Sequence, residues 1–267
     1  MLKYLMKFFI MTLTLTISLL LAEERSFFIA HSNDLIFGVD RDYSTGTEIG
    51  IRLGDNHFSL YQDIYTPDNK QTPRPINGER PYAGWLAVKA QHDYRLYNQP
   101  SYLALSLGTT GKRSQAQEVQ RLFHRIINND EIQGWESQHP NTYGYILELY
   151  NRYELPYLSP YSHLTLGNIS RYWELGVHRT YKFNQWHHHI ELWGELSERY
   201  VQKNLFLEAD RYGYSVSKKD WVGIANIGII FSLGEYGISA SITGLTPKYT
   251  TQNNPSGYGT LRLSHPF

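Results

Sequence analysis

A period of two governs this chain. After residue 25, apolar and polar side chains alternate in segment after segment, the pattern of strands with two unlike faces. Thr47, Ile49, Ile51 and Leu53 alternate with Glu48, Gly50 and Arg52, and Tyr236, Ile238, Ala240 and Ile242 with Gly237, Ser239, Ser241 and Thr243. Between 221 and 233 one face carries Trp221, Ala225, Ile227, Ile229, Phe231 and Leu233, with an aromatic near each end. A strand crossing a bilayer between two interface girdles has that layout.

About twelve such segments can be read: 26–33, 44–55, 57–66, 82–95, 101–110, 142–154, 161–171, 173–183, 187–201, 212–232 (one strand or two), 235–249 and 257–267. An even number of antiparallel strands can close on itself and leave no unpaired edge. In the last segment Leu261, Leu263 and Phe267 share a face with His265, opposed by Thr260, Arg262 and Ser264. A strand that ends the chain on Phe resembles the terminal signal of bacterial outer-membrane barrels. The expected fold is all-β, a twelve-stranded antiparallel transmembrane β-barrel. A periplasmic β-sandwich would keep the same alternation and stays open as the alternative.

Composition narrows the class. The chain of 267 residues balances 25 Lys and Arg against 25 Asp and Glu, so it has no basic footprint for nucleic acid. It has no Cys, which removes disulfides, thiolate nucleophiles and cysteine metal sites together. Aromatic residues reach 15%, while a mean hydropathy of −0.45 is too polar for a bundle of membrane helices. Residues 1–22 (MLKYLMKFFIMTLTLTISLLLA) have Lys3 and Lys7 before an apolar run and Ala22 before Glu23. They read as a signal peptide, with an uncleaved anchor as the alternative. The remaining 23–267 then form one exported domain.

One stretch breaks the β period. Ser114–Asn129 contains no Gly or Pro and sets Val119, Leu122, Phe123 and Ile126 at helical spacing. Gln120 and His124, at i and i+4, project from one side of this helical insertion. Familiar hydrolase signatures are missing: the sequence has neither G-x-S-x-G nor H-E-x-x-H. His187-His188-His189 reads as a polar strand entrance, because neighbours on a strand point to opposite faces. Glu79-Arg80-Pro81-Tyr82-Ala83-Gly84-Trp85 reads as a turn followed by an aromatic girdle. Taken singly, Asn33-Asp34, Ser44 and His124 are ordinary loop or surface polarity.

Taken together, these blocks resemble a family. Asn33-Asp34, DRDYSTG (40–46), QDIYTP (62–67), ERPYAGW (79–85), QEVQRLFHRII (117–127) and GWESQ (134–138) resemble, in order, the lipid A 3′-O-deacylases of the bacterial outer membrane. The resemblance implies a twelve-stranded barrel enzyme in that membrane, with lipopolysaccharide as substrate. Its catalytic set falls on His124, Gln120, Asn33, Asp34, Ser44 and Lys70. It also implies a calcium ion, with Asn33, Ser44 and Asp130 as the expected ligands, in a logic similar to that of secreted phospholipases A2. Three positions depart from the family pattern: Gln71 where a basic residue can follow the lysine, Ser44 where Thr occurs, and Asp130 where Glu occurs. The resemblance leads us to expect multi-pass outer-membrane localisation, hydrolysis of the 3′-acyloxyacyl ester with His124 as general base, and a monomer among outer-membrane lipid. An outer-membrane phospholipase and a non-catalytic porin or adhesin barrel are the alternatives.

Overall fold

The computed structural model describes residues 25–34, 42–126, 132–185, 188–208, 210–233 and 236–267. The candidate signal peptide, residues 1–22, lies outside them. Twelve strands follow one another: β1 (Arg25–Asn33), β2 (Asp42–Leu53), β3 (Asn56–Thr66), β4 (Ala83–Leu96), β5 (Gln99–Thr110), β6 (Tyr143–Arg152), β7 (Ser159–Gly167), β8 (Ser170–Gln185), β9 (His188–Asn204), β10 (Trp221–Leu233), β11 (Tyr236–Leu245) and β12 (Ser256–Pro266). Each pairs with its sequence neighbours, and β1 pairs antiparallel with β12, from Ser26↔Pro266 to Asn33↔Gly259. The sheet is a closed barrel, which replaces the sandwich alternative.

Several strand limits differ from the expectation; β7, for one, stops at Gly167 and residues 170–171 belong to β8. The alternation from 212 does not join the ladder, and β10 begins at Trp221. Asp210 Oδ1 instead accepts the backbone N–H groups of Tyr212 and Tyr214 at 2.8 and 2.9 Å, folding the segment into a turn. β11 stops at Leu245, just ahead of Thr246 and Pro247, and proline cannot donate to a ladder.

Loop lengths orient the barrel. β2–β3 and β4–β5 are joined by two-residue turns; in the second, Tyr97 and Asn98 both have positive φ, 50° and 64°, as a type I′ hairpin requires. At the opposite end the chain makes its long connections, between β3 and β4, β5 and β6, β9 and β10, and β11 and β12. In barrels of this kind short turns are periplasmic and long loops extracellular.

The two faces meet different surroundings. Leu103, Leu105, Leu107, Leu192, Leu196, Ile227, Ile229, Leu261 and Leu263 point outward and are exposed, forming an apolar band. Trp173, Tyr200 and Trp221 are successive cross-strand partners at its extracellular edge, and Tyr181, Phe183, Tyr236 and Phe267 are exposed toward the other. No helix among the described residues is long and apolar enough to cross a membrane; the strands do that. Inside, polar side chains neutralise one another. Glu174 accepts from Arg199 at 2.8 Å and from Tyr161 and Ser197 at 2.9 Å, and Lys89 pairs with Glu148 at 3.2 Å. The extracellular mouth is plugged by Asp42, which is ion-paired with both Arg80 and Lys248. Arg80 also donates to the Phe206 carbonyl at 3.2 Å and lies 4.5 Å over the Tyr65 ring. Buried charges of this kind persist only when paired.

Candidate active site

The helical insertion becomes α1 (Ala116–Ile126). It starts two residues later than the composition suggests, because Gln115 takes a left-handed φ of 56° between a 3₁₀ turn at Gly111–Ser114 and the helix. Residues 127–129 lie outside the described residues.

The helix lies on the outer wall of the barrel. Gln62, outward on β3, donates to the Ser114 carbonyl at 2.5 Å. At Gly84 on β4 the backbones come so close that a Cβ would sit 2.3 Å from both the Ala116 Cβ and the Ser114 Oγ. Farther along, the Phe123 ring lies 6.4 Å from that of His31 on β1. Ala116, Gln120 and His124, one per turn, face the wall and are buried. The apolar stripe faces away: Val119, Leu122 and Ile126 are 41%, 54% and 72% exposed. A helix in water would bury that stripe. This one is turned inside out, with Gln120 and His124 enclosed.

A second layer fixes the polar face. Trp135, 1% exposed, donates its indole N–H to Gln120 Oε1 at 2.8 Å and packs its ring 5.1 Å from that of Tyr82. This bond commits the Gln120 carbonyl to the indole and leaves its NH2 end for other partners. Gly134, at φ 93°, makes the turn that admits Trp135; a Cβ there would lie 2.7 Å from the Tyr82 ring. The Lys70 carbonyl accepts from the Gln133 N–H at 2.9 Å, tying the buried Lys70 to the segment that carries Trp135.

The third part is the extracellular rim of β1–β3. Asn33 Nδ2 donates to the Ser44 carbonyl at 2.9 Å, and the Ser44 hydroxyl is hydrogen-bonded to that of Thr66. Asp34 and Ser44 are both buried. A register shift between Tyr43 and Thr45 re-aims Ser44 at the strand start. The structure therefore joins Asn33 to Ser44 directly, puts Gln120 and His124 on one enclosed helix face, and links Lys70 to that face through Gln133 and Trp135. Asp130 lies outside the described residues.

Calcium can be tested against these donors. Among the described residues no three His, Asp or Glu side chains converge. The rim offers oxygens instead: the Asn33 amide oxygen, the Asp34 carboxylate and the Ser44 hydroxyl, a mostly neutral set of the kind hard cations accept. The donor chemistry fits calcium. Two nearby basic groups feel burial. The His139 imidazole falls to about 4, first through desolvation and then through the Arg80 charge. The Lys248 ammonium is lowered by desolvation, against the pull of Asp42.

The 79–85 block is not an interface girdle. Arg80, Tyr82 and Trp85 are at most 1% exposed. Arg80 plugs the mouth, Tyr82 supports Trp135, Gly84 seats α1, and the Trp85 indole donates to the Tyr61 hydroxyl at 2.8 Å. Thr66 and Trp135 lie within the QDIYTP and GWESQ blocks but were not among the expected site residues. Of the histidine tract, His187 lies outside the described residues, and His188 and His189 open β9, far from the rim.

No curated protein matches the sequence. Among solved structures, LpxR from Salmonella typhimurium superposes with a TM-score of 0.80 at 20% identity, covering 91% of this chain and 100% of that one. The β domain of the Bordetella autotransporter BrkA gives a TM-score of 0.49 at 11% identity, covering 92% and 99%. The family model described as "Outer membrane protein LpxR" matches residues 8–267. The chain is therefore an outer-membrane barrel that belongs to the LpxR family.

Proposed function

We propose that this protein hydrolyses the 3′-acyloxyacyl ester of lipid A, with His124 as general base. The observation that carries the reading is the inverted helix: Gln120 and His124 are enclosed between α1 and the outer wall, on the lipid side of the barrel and away from the lumen. A lipid ester at the membrane interface reaches such a cleft sideways. Solute in a pore would not.

In this mechanism His124 takes a proton from a water molecule, as an imidazole acting as general base does. The water oxygen bonds to the ester carbonyl carbon, and the carbonyl electrons move onto oxygen. Lys70 and the Gln120 NH2 group supply positive charge and a donor for that oxyanion. Collapse breaks the bond to the sugar oxygen, which takes the proton back from His124 and leaves as a hydroxyl, while the acyl group departs as a carboxylic acid. Trp135 occupies the Gln120 acceptor, so we assign the orientation of the His124 ring to Asp34. Calcium, held by Asn33 and Ser44 with Asp130, would polarise the ester carbonyl when bound. One chain supplies every residue invoked, so the mechanism calls for no second copy.

Mass spectrometry of lipid A from expressing cells, with and without chelator, tests the reading. The expected result is a calcium-dependent loss of the 3′ acyl groups, abolished in His124→Ala although the barrel still folds. Wild-type turnover by His124→Ala would refute the base, and intact lipid A beside hydrolysed phospholipid would move the activity to a phospholipase.

A further inference from the structure

A shallow apolar groove of about 880 Å³ runs along the outer wall from the candidate site. Asn33 and Phe123, which belong to the rim and to α1, line one end of it. Its course follows the strand register. Asn33 pairs with Gly259, Gly259 with Ile242, Ile242 with Ile227 and Ile227 with Gly194, so these outward positions form one row across β1, β12, β11, β10 and β9. Four inter-strand steps span about 19 Å.

The row descends into the membrane. Asn33 is the last residue of β1 at the extracellular rim, whereas Gly194 lies deep in β9, nearer His188 than Asn204. Strands in such barrels are tilted by ~35–45°, so a row perpendicular to them drops through the hydrocarbon at a comparable slant. Small residues keep it open. Gly259 carries no side chain and Ala240 lies in the adjoining row, while Gly194 borders the groove beside Ile227, where a Cβ would meet nothing closer than 3.8 Å and a larger side chain would reach the deep end.

We propose that this groove holds an acyl chain of the lipid whose ester is presented to His124, and that its length sets which chains the enzyme accepts. The inference rests on the deacylase reading and specifies its substrate contact. Three features choose the occupant: continuity with Asn33 and Phe123, a lining almost wholly apolar, and a path leading from the interface toward the bilayer interior. Beyond His31 and Asn33 at the rim end a headgroup would find little polar surface along it, and a peptide strand would find no free ladder edge on a closed sheet.

The test uses purified barrel in mixed micelles with lipid A bearing long or short 3′ acyl chains. Ala240→Phe narrows the middle of the groove and Gly194→Phe fills only its deep end, while Leu105→Phe on the far wall is the control. Both positions face outward, and retention of the folded, heat-modifiable band establishes that each barrel is intact. The expected result is a fall of at least tenfold in kcat/KM on long chains for both variants. Gly194→Phe spares short chains, Ala240→Phe lowers both, and Leu105→Phe changes neither. An unchanged long-to-short ratio in folded Gly194→Phe, or wild-type kcat/KM on long chains in folded Ala240→Phe, overturns the groove while leaving the deacylase standing. A wild-type enzyme that releases no acyl chain of either length overturns the deacylase reading itself.

Discussion

Replacing Trp135 with Phe removes one hydrogen bond and little else. The ring contact with Tyr82 at 5.1 Å is largely retained, because Phe fills most of the same space. What goes is the N–H that holds Gln120 Oε1 at 2.8 Å in a place with almost no solvent. A buried acceptor left without its donor costs about 1–3 kcal/mol. The Gln120 amide can avoid that cost only by rotating, and rotation withdraws its NH2 end from the oxyanion. If the loss falls on the transition state, kcat drops about 5- to 160-fold, at 1.36 kcal/mol per factor of ten. KM should stay near wild type, since the substrate is gripped elsewhere. The assay is steady-state deacylation by Trp135→Phe, Gln120→Ala and the double variant. In a double-mutant cycle the two changes should be strongly non-additive, because both remove the same oriented donor. Wild-type kcat in Trp135→Phe, or full additivity, would refute the assignment of Trp135 as the residue that positions Gln120.

Two other perturbations probe the frame. Gly84→Ala puts a methyl 2.3 Å from the Ala116 Cβ, which cannot swing aside. Overpacking of this kind costs about 1–3 kcal/mol, so α1 should lift from the wall and activity should be lost while the barrel band persists on gels; full activity would contradict the seating of the helix. His139 gives a pH signature, because its folded value of about 4 lies below the ordinary 6.5. The native state keeps it neutral while the unfolded chain takes up a proton, so stability is full above about 6.5 and falls as pH drops toward 4, by about 3 kcal/mol in all. Melting of wild type and His139→Gln across that window should show the dependence reduced in the variant, and identical slopes would disprove it.

The strands were legible because lipid outside and a polar lumen inside enforce strict alternation, as in β10 and β11. The reading failed at 212–220, where Tyr212, Tyr214 and Val216 alternate but Asp210 folds them into a turn. Local composition cannot see which backbone groups a carboxylate will capture. The helix was legible as a helix, and the shared side of Gln120 and His124 held. Its orientation was not legible, because periodicity defines two faces without saying which is buried; the membrane decides that. The site residues were individually mute. Asn33 and Ser44 look like turn polarity until β1 and β2 bring them together, and resemblance alone singled them out. The Gln120–Trp135 bond crosses between a helix and a loop, so no spacing rule could have found it.

The barrel has a single seam. Eleven of its strand pairings join sequence neighbours and can form as hairpins, but β1 meets β12 only after the whole intervening chain is in place, Ser26 against Pro266. The candidate site lies beside that junction, with Asn33 and His31 on the first strand and Gly259 on the last. A sheet of β1 to β6 can already carry the rim and α1, but the apolar groove crosses β1, β12, β11, β10 and β9 and exists only once the seam has closed. Under the proposed function, assembly order then acts as a safeguard: an open sheet that carries the rim and the helix still lacks the groove, and the grip on a lipid chain would arrive only as the barrel closes in the membrane.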